Sequence, residues 1–169
     1  MAVISYEHEM QYYETMSGTD AFTVIIRGVA YLDYELQKLL RLCLKAPGEL
    51  KAANLDYSQH CALAFALGLD AGIKPALKAV GGLRNKLAHL PQRNLTPEDA
   101  KNLYDVLSPG EKQNIPAFLA KAARRSAPFK ELNAMDQYVI MLVMLRSIIV
   151  AAQRNIENAR DSPAFANGS

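Results

Sequence analysis

Cysteine, histidine and long uninterrupted apolar runs are all scarce in this sequence. The chain has two cysteines and three histidines in 169 residues. Cys43 and Cys61 lie in apolar helical pattern with no Cys or His at ligand spacing, which excludes a disulfide framework and a zinc site. Both read as buried reduced thiols of a cytoplasmic protein. The most apolar stretch, residues 138–145, follows Asp136 and Gln137 and stops at Arg146. It falls well short of the ~20 apolar residues of a membrane span, so a core helix is expected. The opening MAVISYEHEM has neither a basic start nor an apolar stretch, so no signal peptide is expected. A Gly-rich phosphate loop, a nucleophile elbow and a metal-binding pair of helical histidines are all missing, so no cofactor or metal is expected.

Acidic residues are missing from two long stretches. Residues 71–97 contain no Asp or Glu but include Lys74, Lys78, Arg84, Lys86 and Arg93. Residues 112–130 repeat the pattern, with Lys121, Arg124 and Arg125 between Lys112 and Lys130. The start is opposite in character: Glu7, Glu9, Glu14, Asp20, Asp33 and Glu35 face Arg27 alone within the first 35 residues. The net charge of +2 therefore hides a basic middle and an acidic start, suited to an anionic ligand or complementary self-association. Solvated helix faces would give the same pattern.

Half of the residues are apolar and they are spread along the chain, which excludes disorder and permits a core. Their spacing is helical throughout. Val3, Tyr6, Met10 and Tyr13 predict a first helix over residues 2–16, broken by Ser17, Gly18, Thr19 and Asp20. Phe22, Ile25, Val29, Leu32, Leu36, Leu39 and Cys43 form a continuous stripe on a second helix that ends by Pro47 and Gly48. Asp56 or Ser58 can cap a third helix over residues 57–67, apolar on nearly all sides and therefore central, with Gly68 after it. A fourth is expected over residues 74–89, with Pro75 in its first turn and Pro91 limiting its end. Gly81 and Gly82 interrupt its middle, as at a close helix approach or a bend. Thr96-Pro97-Glu98-Asp99 is a helix start, and Ser108-Pro109-Gly110-Glu111 punctuates the chain before the basic segment at 118–125. A last long helix is expected over residues 131–158, followed by a frayed tail over 161–169. Residues 1–160 thus read as one all-α domain of five to seven helices, with Leu32, Leu36, Leu63, Leu67, Leu83, Leu87 and Leu142 in the core.

Of the histidines, His60 sits in the central apolar helix and reads as a satisfied core residue. His8, beside Glu7 and Glu9, reads as a surface residue. His89 has different company: in Gly82-Leu83-Arg84-Asn85-Lys86-Leu87-Ala88-His89, four residues separate an arginine from a histidine at a helix end.

This Arg-Asn-Lys-Leu-Ala-His run resembles the signature of HEPN domains, in which His follows Arg by a few residues. The helix from Arg27-Gly28-Val29-Ala30-Tyr31-Leu32-Asp33 to Leu44 is similar to the second helix of the mannitol repressor branch of that superfamily. So is Ala62-Leu63-Ala64-Phe65-Ala66-Leu67-Gly68-Leu69, which that branch carries shortly before its Arg-Asn-x-x-Ala-His run. The resemblance covers roughly residues 20–107. It implies a HEPN-like up-down helical bundle with additional C-terminal helices in a single domain. It also implies a homodimer that cuts RNA without metal in a defence or toxin–antitoxin setting, with Arg84 and His89 catalytic and Asn85 supporting them. Other members bind a protein partner or a nucleotide and cut nothing, so a regulatory module of mannitol repressor type is the alternative.

The residue chemistry permits cleavage. An imidazole, with an unperturbed pKa of about 6.5, can take the 2′-hydroxyl proton or protonate the leaving oxygen. A guanidinium matches phosphate oxygens and keeps its charge. On an ideal helix Asn85 and His89 share a face, whereas Arg84 and His89 stand about 140° apart. Two copies meeting along this helix would supply two histidines. A purely structural role competes: Arg84 and Asn85 could cap neighbouring helices, His89 could bond carbonyls at its own helix end, and Asp33 or Glu35 could neutralise Arg84.

Overall fold

The computed structural model describes residues 2–90, 92–121 and 127–161, and the side chains from residue 7 onward within these. The apolar stripe of the second helix organises what surrounds it. This helix, α2 (Ala21–Cys43), starts where the Asp20 carboxylate accepts the Thr23 N–H, an N-cap that satisfies a donor the helix itself leaves free. Val24, Ile25, Val29, Leu32, Leu36, Leu39 and Leu40 are buried along it. α1 (Ala2–Met16) lies against α2 and sinks Tyr12 and Met16 into the core. The partner with the most extensive contact is α8 (Ala134–Asp161), whose Tyr138, Met141, Leu142, Leu145 and Ile149 complete the central pair.

Between them come α3 (Glu49–Ala52), α4 (Tyr57–Ala66), α5 (Lys74–His89), α6 (Pro97–Asp105) and α7 (Pro109–Lys121), with short 3-10 turns at Ala71–Ile73 and Phe129–Glu131. Among the described residues there is no strand. α4 and α5 pack on α2 and on each other, while α6 and α7 pack on α8. The caps follow the sequence. Asp56 and Gln59 form a reciprocal capping box at α4, and Thr96 and Asp99 form one at α6.

Several expectations need correction. α2 ends at Cys43, before Pro47 and Gly48, because the chain turns extended at Leu44. α3, one turn long, raises the number of α-helices among the described residues to eight, above the expected range. α8 begins at Ala134, because Asn133 Oδ1 accepts the Asp136 N–H there, and runs on through Asp161. Leu32, Leu36, Leu83, Leu87 and Leu142 are buried as expected, but Leu63 is half-buried and Leu67 is 39 % exposed. α4 stops at Ala66, and Gly68 at φ +103° turns the chain, leaving Leu67 outside. Arg124, Arg125 and the tail from residue 162 lie outside the described residues.

By length and composition α8 could cross a membrane, with half of that apolar stretch buried against the rest of the chain. Arg146 within it is buried and ion-paired.

Candidate functional site

One side of α5 is committed to the core. Ala76, Leu77, Val80, Leu83 and Leu87 are buried against α2, α4 and α6. Helical periodicity then places Lys74, Lys78, Gly82, Asn85 and His89 on the outward side, where all are exposed, as is Arg84. The Arg84 guanidinium folds over its neighbour, Nη1 donating to Asn85 Oδ1 at 3.1 Å. This carries its charge toward the Asn85 side, although the two Cα positions differ by about 100° around the axis. His89 stands one turn beyond Asn85 on that side.

None of the three secures the fold. Arg84 and Asn85 bond each other, and His89 makes no side-chain hydrogen bond among the described residues. The end of α5 is closed by backbone: the Leu90 N–H donates to the carbonyls of Lys86 and Leu87. The carboxylates expected near Arg84 are engaged elsewhere. Asp33 meets His60 Nδ1 at 2.7 Å and accepts from Gln37, and Glu35 is bound to Arg146. His60 is accordingly a buried, satisfied histidine.

Arg84 and Asn85 border a groove of about 550 Å³ between α4 and α5. Tyr57, Ala62, Phe65 and Leu77 supply its apolar lining, and Lys74, Lys78 and Arg84 its cations. Among the described residues its only carboxylate is Asp56, which accepts from the Gln59 N–H and from Ser58 Oγ. These bonds, that of the Gln59 backbone foremost, hold the Asp56 carboxyl below the usual range and keep it directed at the helix end. The groove therefore presents positive charge over an apolar floor. Cys61 also lines it, but burial pushes its thiol up to about 11, so no thiolate nucleophile is present near neutral pH. Among the described residues no cluster of His, Cys, Asp and Glu could hold a metal.

A second polar constellation lies inside the molecule. Arg146 on α8 donates from Nε and Nη2 to Glu35 Oε1 on α2, at 3.1 and 2.6 Å. It also bonds both oxygens of Glu9 on α1 and lies 4.2 Å over the Tyr12 ring. Gln153 Nε2 donates to the Glu35 carbonyl and to its Oε2, at 2.8 and 2.9 Å. Burial works against the arginine's charge, yet the Glu9 and Glu35 hydrogen bonds outweigh it and hold the guanidinium charged. Sequence reasoning misses this cluster, although a signal is there. Glu35 falls in register with Leu32 and Leu39 on the apolar stripe, and Arg146 interrupts an apolar run. Charges in such positions call for a buried partner.

No protein-family model, no curated protein and no solved structure matches the chain. The HEPN resemblance rests on the residues quoted for it.

Proposed function

We propose that the chain is a HEPN-like, homodimeric cytoplasmic domain that holds single-stranded RNA along α5 and cuts it without metal, using Arg84 and His89 with Asn85 in support. The observation that carries this reading is that Arg84, Asn85 and His89 are exposed on α5, the first two bordering a cationic groove, and that among the described residues none of them bonds another element. Polar side chains held ready on a buried scaffold are what a ligand site requires.

In the reaction, one imidazole takes the 2′-hydroxyl proton as the 2′-oxygen bonds to phosphorus. A second imidazolium, from the other copy, protonates the departing 5′-oxygen as its bond to phosphorus breaks. Arg84 stabilises the extra negative charge of the phosphorane between these events. The product is a 2′,3′-cyclic phosphate. A second reading, a non-catalytic module binding a protein partner or nucleotide, is favoured by the separation of Arg84 and His89 around the helix, about 140° by helical geometry.

Cleavage of a broad panel of single-stranded RNAs in excess chelator separates the two. The nuclease reading expects cyclic phosphate ends, and a rate loss of about 10²–10⁴-fold in His89→Ala. Arg84→Ala should lose about as much, and both variants should keep wild-type stability within about 0.5 kcal/mol. A dimer should be evident by ultracentrifugation. No cleavage by the wild type would end the catalytic assignment. RNA or partner binding that Arg84→Ala abolishes would then establish the regulatory one.

A further inference from the structure

Two adjacent glycines interrupt the middle of α5, where glycine destabilises a helix relative to alanine. Packing accounts for the first. A Cβ on Gly81 would come within 2.7 Å of Tyr57 Cε1, so the aromatic ring that floors the groove needs this residue bare. The same ring is fixed by Tyr57 Oη donating to the Leu77 carbonyl at 3.0 Å.

Gly82 has no such reason. A Cβ there would meet nothing within 4 Å, its backbone is ordinary helix, and it lines the groove from the exposed side of α5. Among the described residues, nothing uses the missing side chain. A bare helix surface next to an open groove instead allows something outside the chain to approach the backbone closely. The surroundings restrict what that is. Tyr57 and Phe65 offer aromatic surface, and Lys74 Nζ sits 5.8 Å from the centre of the Phe65 ring. Lys78 and Arg84 flank the opening, and the Asp56 carboxylate is tied to its own helix end. A flat, apolar-faced group carrying negative charge fits this combination. Unpaired nucleotides of single-stranded RNA are such groups: the neutral base stacks on aromatic and apolar surface while cations hold its negatively charged phosphate.

We propose that the α4–α5 groove is a subsite for one unpaired RNA base, with Gly82 as the clearance that admits it and Arg84 on the phosphate next to it. The proposal rests on the RNA-binding reading above and adds where the strand is read. A base lodged there places its phosphate at Arg84 and Asn85, with His89 one turn further along the same side. Double-stranded RNA cannot enter, because its bases are stacked and paired.

The test measures binding and thermal melting on the same proteins: wild type, Gly82→Ala, Gly82→Leu and Arg84→Ala. The probes are a short single-stranded RNA, its duplex, and adenosine 3′-monophosphate. Gly82→Leu should melt no lower than wild type, yet bind the single strand and the monophosphate about tenfold or more weakly, the usual scale of losing a stacked base. Gly82→Ala should melt higher and show a smaller loss of binding, and the duplex should bind no variant differently. If wild type binds the single strand and Gly82→Leu binds it equally well, the subsite is wrong while the RNA reading stands. If Gly82→Leu weakens monophosphate binding but wild type cleaves nothing in the panel of single-stranded RNAs, the catalytic reading falls and the subsite stands. If wild type binds neither the single strand nor the monophosphate, both fall. A changed sedimentation coefficient in Gly82→Leu with RNA binding intact would put a second copy of the chain in the groove and overturn the proposal.

Discussion

The interior between α1, α2 and α8 and the outer face of α5 both carry polar side chains on well-packed helices, but they treat them in opposite ways. Inside, Arg146 is bonded to Glu35 and Glu9, and Gln153 fills the remaining Glu35 oxygen. Outside, Arg84 reaches only its neighbour Asn85, and His89 reaches no described side chain. A charge with every bond made locally is part of the structure. A charge held in place by a rigid helix with bonds to spare is free for a ligand. Arginine and its polar neighbours thus mean different things in the two places, and partnership distinguishes them better than residue type.

The comparison is broken most strongly from the inside. Arg146→Ala should cost roughly 3–5 kcal/mol in urea unfolding, because it removes the guanidinium hydrogen-bonded to buried Glu35 and leaves that carboxylate only the looser Lys38 ammonium at 3.9 Å as counter-charge. Arg146→Met paired with Glu35→Gln should recover part of that loss, since no lone buried charge then remains. Equal destabilisation by Arg146→Ala and Arg84→Ala would erase the distinction between the regions.

The two glycines of α5 sharpen it at a smaller scale. Gly81→Ala drives a methyl against the Tyr57 ring and should cost about 1–3 kcal/mol through overpacking. Gly82→Ala, with open space around it, should gain up to about 1 kcal/mol from helix propensity alone. Melting curves of the two variants should therefore move in opposite directions from wild type. A shift of both in the same direction would mean that the groove side of α5 is packed like its core side.

The smallest expected effect concerns Glu9, at the partly exposed edge of the interior cluster. The Arg146 hydrogen bond holds its carboxyl below the usual carboxylate range, against the opposing pull of burial. A group whose folded pKa is depressed stabilises the protein above its unfolded value, about 4.3 for Glu, and loses that contribution as pH falls through the lowered value. The melting-temperature gap between wild type and Glu9→Gln should therefore be full near neutrality and close progressively under acid. Partial exposure and salt keep it small. A gap that does not change with pH would show that Glu9 contributes by packing and not by charge.

Local chemistry makes much of this legible in the sequence. The bounds of α5 follow from Pro75 in its first turn and Pro91 beyond its end, and the caps Asp20, Asp56 and Thr96 follow from side chains that compete for free backbone donors. Exposure of Arg84, Asn85 and His89 is also implied once the apolar stripe of α5 is drawn. What stays hidden depends on partners distant in the chain. Nothing near Glu35 announces Arg146, 111 residues away, and nothing near Asp33 announces His60. Leu67 has the composition of a core residue, and only the turn at Gly68 puts it outside. The start of α8 is misplaced by local pattern because Glu131 resembles a helix beginning, while the Asn133 side chain provides the actual cap.

The single guanidinium of Arg146 also sets an order of events during synthesis. It joins α8 to Glu35 across 111 residues and to Glu9 across 137, so both carboxylates leave the ribosome long before the guanidinium that bonds them. Until residue 146 emerges, burying Glu35 on the apolar stripe of α2 would leave its Oε1 without the donors that offset burial. Closing the first helices over these carboxylates is thus favoured only once the last helix is present to bond them.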